Sequence, residues 1–255
     1  MNRPNVDKVL AVIPARYGST RFPGKMIVPV AGKPLVVHTF ERACQASLVD
    51  DVVVATDDNR VAEALAPFGV PVVMTSAEHP SGTDRIAEVA SGASAGIIVN
   101  VQGDEPLIDP ATIDATVEAV LRDKEVSMAT ARRRITRAEE ITDSNVVKVV
   151  CDGRGRALYC SRHPIPFVRD AQGQAETMGV HWQHIGLYVF RRGFLLAFAK
   201  WAPTPLEMIE RLEQLRALEN GHAIAVVETT YESIGVDAPD DLKRVAALLE
   251  AGKKE

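Results

Sequence analysis

VLAVIPARYGSTRFPGK, residues 9 to 25, joins two kinds of segment. Val9 to Pro14 is an unbroken apolar run. Ala15 to Lys25 is a loop rich in Gly, Ser, Thr and basic residues. A strand with no polar side is one covered on both faces, which is the habit of parallel sheets. In open α/β sheets, ligands bind outside the carboxyl ends of the strands, where this loop begins. From Lys8 to Phe40 there is no Asp or Glu, yet Lys8, Arg16, Arg21, Lys25 and Lys33 are present. The whole chain is acidic, with a formal net charge of −5, so an acid-free basic stretch needs a local reason. Backbone N–H groups, hydroxyls, Arg16, Arg21 and Lys25 together suit a polyphosphate. The alternative is a solvated basic loop. The spacing is not a Walker A motif: five residues separate Gly18 from Gly24, and Met26 follows Lys25. Nor is there a GxGxxG signature of a dinucleotide fold.

Working outward, strand-like and helical runs alternate. Helical spacing covers 34–46, 61–68, 82–90 and 110–122. Strand-like runs cover 51–56, 70–74 and 97–101. Asp109 is the expected cap of the helix opened by Pro110. This alternation predicts a parallel α/β sheet with helices on both faces. The middle is strand-rich, with runs at 127–132, 146–151, 157–161 and 185–190, and a hairpin turn at Asp152-Gly153-Arg154-Gly155. Residues 168–179 read as a polar excursion. Helices are expected at 192–201, at 206–220 (stopped by Gly221) and at 240–250, with a strand at 223–228. The expectation is a single α/β domain over 1–255 with a strand-rich insertion around 127–190.

Two acidic positions stand out. Asn100-Val101-Gln102-Gly103-Asp104-Glu105-Pro106 follows the most apolar strand, which places Asp104 at a strand end. A nucleoside triphosphate arrives with Mg²⁺, a hard cation that prefers carboxylate oxygens. Asp104 is therefore a candidate metal ligand, and a capped turn before Pro106 is the plain alternative. Asp237, in Gly235-Val236-Asp237-Ala238-Pro239-Asp240, lies between a strand and the last helix. It is the candidate second ligand, with an ordinary loop position as its alternative. Ser81-Gly82-Thr83-Asp84-Arg85 opens a helix, and helix N-termini attract anions. Glu207, Glu210 and Glu213 read as a solvated face. The chain's acidity argues against a dedicated nucleic-acid binder, and its longest apolar runs are too short to span a bilayer. Cys44, Cys151 and Cys160 are an odd, widely spaced set, which fits a reduced cytoplasmic compartment.

The stretches PARYGSTRFPGK (14–25), SGTDRIAE (81–88), NVQGDEP (100–106), NVVKVV (145–150), ALYCSR (157–162), HIGLY (184–188), PLEMIERLEQLRAL (205–218) and GVDAPDDL (235–242) resemble the 3-deoxy-D-manno-octulosonate (Kdo) cytidylyltransferases, or CMP-Kdo synthetases. The resemblance spans nearly the whole chain, in order. It implies a mixed, mainly parallel central sheet of the nucleotide-diphospho-sugar transferase kind, a smaller antiparallel lobe and a homodimer. It also implies transfer of CMP from CTP to Kdo, with Mg²⁺, for lipopolysaccharide or capsule. By resemblance Arg16, Lys25, Asp104 and Asp237 are catalytic. Pro14, Ala15, Arg16, Arg21, Lys25, Ser81, Gly82, Arg85 and Gln102 contact the nucleotide. Gln102, Arg162, His184, Glu213 and Gln214 contact the sugar, and Asp104 and Asp237 bind Mg²⁺. A related acid sugar (8-amino-Kdo or sialic acid) and a non-catalytic nucleotide-binding module are the alternatives. Arg132-Arg133-Arg134 departs from the expected apolar stretch and has no assigned role.

Overall fold

The structure is a computed structural model that describes residues 8–18, 22–169, 179–232 and 234–251. Arg21 lies outside the described residues. In chain order the elements are β1 (Val9–Pro14), β2 (Pro29–Val30), β3 (Lys33–Pro34), α1 (Leu35–Ala43), β4 (Asp51–Thr56), α2 (Asn59–Leu65), β5 (Val72–Met74), α3 (Gly82–Gly92), β6 (Ile97–Asn100), α4 (Pro110–Arg122), β7 (Met128–Arg134), α5 (Ala138–Thr142), β8 (Lys148–Cys151), β9 (Ala157–Ser161), β10 (Trp182–Arg191), α6 (Arg192–Phe198), α7 (Pro205–Glu210), α8 (Leu215–Glu219), β11 (Ile224–Thr229) and α9 (Pro239–Ala251).

The chain forms two compact units, one within Met1–Asp114 and Ser233–Glu255, the other Ala115–Glu232. In the first, the strands run β6-β1-β4-β5, all parallel. Every residue of β1 and of β6 is buried, as their lack of a polar face requires. Val12 lies opposite Asn100 in the register, so the loops that leave β1 and β6 start side by side. Helix caps follow the sequence. Asp58 accepts from the Arg60 N–H, Ser81 from Asp84, and Asp109 from Thr112 at 3.0 Å. A separate apolar cluster of Val30, Leu35, Val236 and Val245 fastens α9 beside the β2–β3 hairpin.

In the second unit β11 lies parallel to β7, and β7, β10, β8 and β9 pair antiparallel in turn. The expected turn at 152–155 is present: Asp152 Oδ1 accepts from the Arg154 and Arg156 N–H groups at 2.8 and 2.9 Å. The arginines of β7 are structural. Arg132 and Arg134 both lie over the Trp182 ring, and buried Arg133 pairs with Glu140.

The expected single helix over 206–220 is instead two. α7 ends at Arg211, which takes a left-handed conformation (φ 55°), and α8 starts four residues later. The reason is visible at the ends. Thr204 and Glu207 form a capping box, and Arg216 of α8 turns back to pair with the buried Glu207 at 2.5 Å. Among the described residues no helix is long and apolar enough to cross a membrane. The three cysteines are free.

Candidate active site

Ala15 leaves β1 with its N–H bonded to the Ala55 carbonyl at 2.8 Å, so the basic loop starts from a fixed point. The loop returns where the Gly24 N–H meets the Tyr17 carbonyl at 2.8 Å. Gly24 is left-handed (φ 71°), and its absent side chain leaves room for the Tyr17 ring, which would lie 3.3 Å from a Cβ. That turn aims Lys25 inward, and the Lys25 side chain is only 9% exposed.

The loop after β6 closes on the same place. Gly103 packs so tightly that a Cβ would sit 2.9 Å from the Pro14 carbonyl oxygen, and its own carbonyl accepts from the Thr39 hydroxyl at 3.0 Å. Asp104 is thereby held beside Lys25. The third strand of chain arrives from far away: the Val236 N–H donates to the Asp104 carbonyl at 2.9 Å. Asp237 follows, with its N–H on an Asp241 carboxylate oxygen at 2.9 Å. The outcome is one cluster. The Lys25 ammonium donates to Asp104 Oδ2 at 2.5 Å, to the Val236 carbonyl at 2.9 Å and to Asp237 Oδ1 at 3.5 Å. A cleft of about 390 Å³ opens over it, lined among others by Pro14, Arg16, Gly82, Gln102, Asp104 and Asp237.

Of the other expected nucleotide residues, Ala15 is fully buried behind the cleft, and Ser81 caps α3. Arg85 is also fully buried: one guanidinium nitrogen donates to the Thr75 hydroxyl, and another lies 3.2 Å from an Asp57 carboxylate oxygen. Gln102 Nε2 donates to Asn100 Oδ1 at 3.1 Å.

The expected sugar residues lie in the second unit. His184 Nε2 and the Thr130 hydroxyl are 3.0 Å apart, and that hydroxyl is 2.8 Å from the Leu187 carbonyl. A hydroxyl has one proton, so donation to Leu187 makes His184 Nε2–H the donor to Thr130. Burial pushes the His184 imidazole down to about 4, which leaves it neutral at neutral pH. Its ring packs against Tyr188, whose hydroxyl donates to Gln214 Oε1 at 3.2 Å. Gln214 Nε2 is buried with no nitrogen or oxygen partner and lies beside the Cys160 thiol. Burial raises the Tyr188 hydroxyl well above its ordinary range. Arg162 is engaged differently, donating to the backbone carbonyls of Glu210, Ser144 and Arg211. Glu213 sits 3.7 Å from Arg216. Sequence reading missed Thr130 and Tyr188. A threonine and a tyrosine in strand-like runs look like ordinary strand formers.

A cytidylyltransferase family model matches residues 10–228. The chain belongs to the cytidylyltransferase family. It is 55% identical over 248 residues to the 3-deoxy-manno-octulosonate cytidylyltransferase of Geobacter metallireducens, covering 95% of this chain and 98% of that protein. It is 55% identical over 244 residues to the enzyme of the same name from Solibacter usitatus, covering 96% of this chain and 95% of that one. Among solved structures, a CMP:2-keto-3-deoxy-manno-octonic acid synthetase complexed with CTP superposes with a TM-score of 0.90. It is 40% identical over 96% of this chain and 99% of that one. The α/β sheet expected from the strand–helix alternation is present, and the mixed, mainly parallel architecture that the resemblance implied is shown with it.

The donor chemistry also fits a divalent metal. The two carboxylates already share one cation, the Lys25 ammonium. Among the described residues no group of three or more His, Cys, Asp or Glu side chains could hold a metal ion. Two carboxylates without a full protein cage suit Mg²⁺, which keeps waters and takes substrate phosphates as its other ligands.

Proposed function

We propose that this cytidylyltransferase transfers CMP from CTP to Kdo, releasing diphosphate and supplying activated sugar for lipopolysaccharide or capsule. The observation that carries the reading is the cleft in which Arg16 and Lys25 share a floor with Asp104 and Asp237. Cations for a polyphosphate and carboxylates for a metal meet in one place. The high identity to named Kdo cytidylyltransferases supports the choice of substrates.

In this reading the anomeric hydroxyl of Kdo attacks the α-phosphorus. A new P–O bond forms, the bond from the α-phosphorus to the oxygen bridging it to the β-phosphate breaks, diphosphate leaves with that electron pair, and the hydroxyl's proton passes to water. Arg16 and Lys25, with Arg21 of the same loop, offset the charge of the leaving diphosphate. Pro14, Ala15, Ser81, Gly82 and Gln102 hold the cytidine end. Arg85, expected by resemblance at the nucleotide, is fully buried and ties α3 to Asp57 and Thr75 at the ends of β4 and β5, so its part is to position the helix. Asp104 and Asp237 would hold Mg²⁺, which when bound lowers the hydroxyl's pKa and neutralises phosphate charge. Arg162, His184, Glu213 and Gln214 contact the sugar. Neutral His184, whose Nε2–H is spent on Thr130, offers the sugar only Nδ1 as an acceptor for a hydroxyl, not a charge for the sugar's carboxylate. The Gln214 amide N–H, beside the Cys160 thiol, supplies the donor. We assign the enzyme to the cytoplasm as a homodimer, by resemblance. The exposed apolar side chains Phe167, Met208 and Ile209 are in keeping with self-association.

The test is diphosphate release from CTP with a panel of acid sugars: Kdo, 8-amino-Kdo and sialic acid. Release with Kdo well above the others is expected. Preference for another sugar would reassign the acceptor. CTP binding without release on any sugar would leave only a nucleotide-binding module.

A further inference from the structure

An ammonium group has three N–H donors and no acceptor. At Lys25 three oxygens lie within reach: Asp104 Oδ2, the Val236 carbonyl and Asp237 Oδ1. Nothing is left to donate to a phosphate. The function proposed above nevertheless asks Lys25 to bind the triphosphate, and asks Asp104 and Asp237 to bind a divalent cation. Both demands fall on the same atoms. They conflict in the state described and agree only if the ammonium moves.

We infer that Lys25 is an exchangeable stand-in for the metal: it holds the two carboxylates in the empty enzyme and yields them to a divalent cation as it passes to the nucleotide's phosphates. The inference rests on the metal reading of Asp104 and Asp237. Three observations support it. The Lys25 side chain is nearly buried, so in the empty enzyme its charge is compensated by these carboxylates and not by water. Asp237 is more than half exposed, so one carboxylate is open to an incoming ion. The left-handed turn at Gly24 seats Lys25 at the inner end of the basic loop, and the lysine ammonium rides on a flexible four-carbon stem. Because one ammonium opposes the metal and favours the phosphates, metal and triphosphate must strengthen each other's binding. Thermodynamic linkage makes that effect mutual.

The experiment is Mn²⁺ binding to the full-length, nucleotide-free protein, followed by electron paramagnetic resonance. Lys25→Met and Lys25→Gln, checked for folding by circular dichroism, are each expected to bind Mn²⁺ at least about tenfold tighter than wild type, since a competing positive charge is gone. Adding Asp104→Asn to Lys25→Met should abolish that gain. A second readout needs no variant. Limited acetic anhydride labelling with mass spectrometry should show Lys25 modified several-fold more in Mn²⁺ than in its absence. Variants that bind Mn²⁺ no tighter than wild type, or Lys25 labelling indifferent to Mn²⁺, would overturn the exchange and leave the metal site standing. If neither wild type nor variants bind Mn²⁺ even at millimolar concentration, the metal reading itself falls, and the exchange with it.

Discussion

His184 lies on β10 with its ring enclosed by Thr130 and Tyr188, and burial holds its pKa down at about 4. An unfolded chain carries the same residue near 6.5. Between pH 6.5 and about 4 the unfolded state binds the proton and the native state does not. Stability therefore rises with pH across that window and is lost on acidification, by roughly 3 kcal/mol when complete. Chemical denaturation at pH 7 and pH 4 checks this. The wild type should lose more stability on acidification than His184→Gln, and equal losses would contradict the assignment. Composition gave no sign of this burial, because a lone histidine beside a strand start has no periodic partner. Lys25, Asp104 and Asp237 were legible for another reason: each sits where a loop leaves or enters a regular element, in the company of Gly or Pro. Their meeting was not legible. Lys25 is 79 residues from Asp104 and 212 from Asp237, and no local pattern reports such distances.

Among the elements, the loop between β6 and α4 carries the tightest packing of the site. A Cβ on Gly103 would lie 2.9 Å from the Pro14 carbonyl and 3.1 Å from Met26 Sδ, and the carbonyl belongs to backbone that β4 and β6 hold on either side. Gly103→Ala should lower stability by about 1–3 kcal/mol. Gly82→Ala meets only the Pro14 ring at 3.5 Å, ordinary contact, in the first turn of α3. It should leave the melting temperature unchanged or slightly raised. Thermal melts of the two variants side by side make the comparison, and equal behaviour would refute it. The parallel strands of the first unit were readable because full burial erases their polar side. The break between α7 and α8 was not. Residues 206–220 contain no Gly or Pro, and the left-handed turn at Arg211 is enforced by the Arg216–Glu207 pair across it, a contact outside any helical register. The β2–β3 hairpin was missed as well. Its two-residue turn uses Ala31 and Gly32, both with positive φ, and alanine gives no warning of that.

At the scale of the molecule, the first unit is built from two distant pieces of chain, joined by the Val30, Leu35, Val236 and Val245 cluster and by the Val236–Asp104 backbone bond. A ligand that grips Arg16, Lys25, Asp104 and Asp237 together ties both pieces down. CTP with Mg²⁺ at about 100 times its dissociation constant should add about 2.7 kcal/mol. For a chain of this size that raises the melting temperature by roughly 5–10 °C. Differential scanning calorimetry should show the rise with both ligands and its loss, in large part, with excess chelator; a melt indifferent to CTP and Mg²⁺ would place the ligand elsewhere. The same two-piece construction has a bearing on how the protein is made. Lys25 and the Val236 carbonyl it reaches are 211 residues apart. A ribosome has long since released the basic loop and Asp104 before it adds Asp237. Any nascent chain abandoned by premature termination, or trimmed by a protease ahead of that point, therefore keeps the basic loop but only Asp104 of the carboxylate pair. Such a chain also lacks Val236 and Val245, which pack on Val30 and Leu35, so the last stretch of translation completes the site and the core beneath it together.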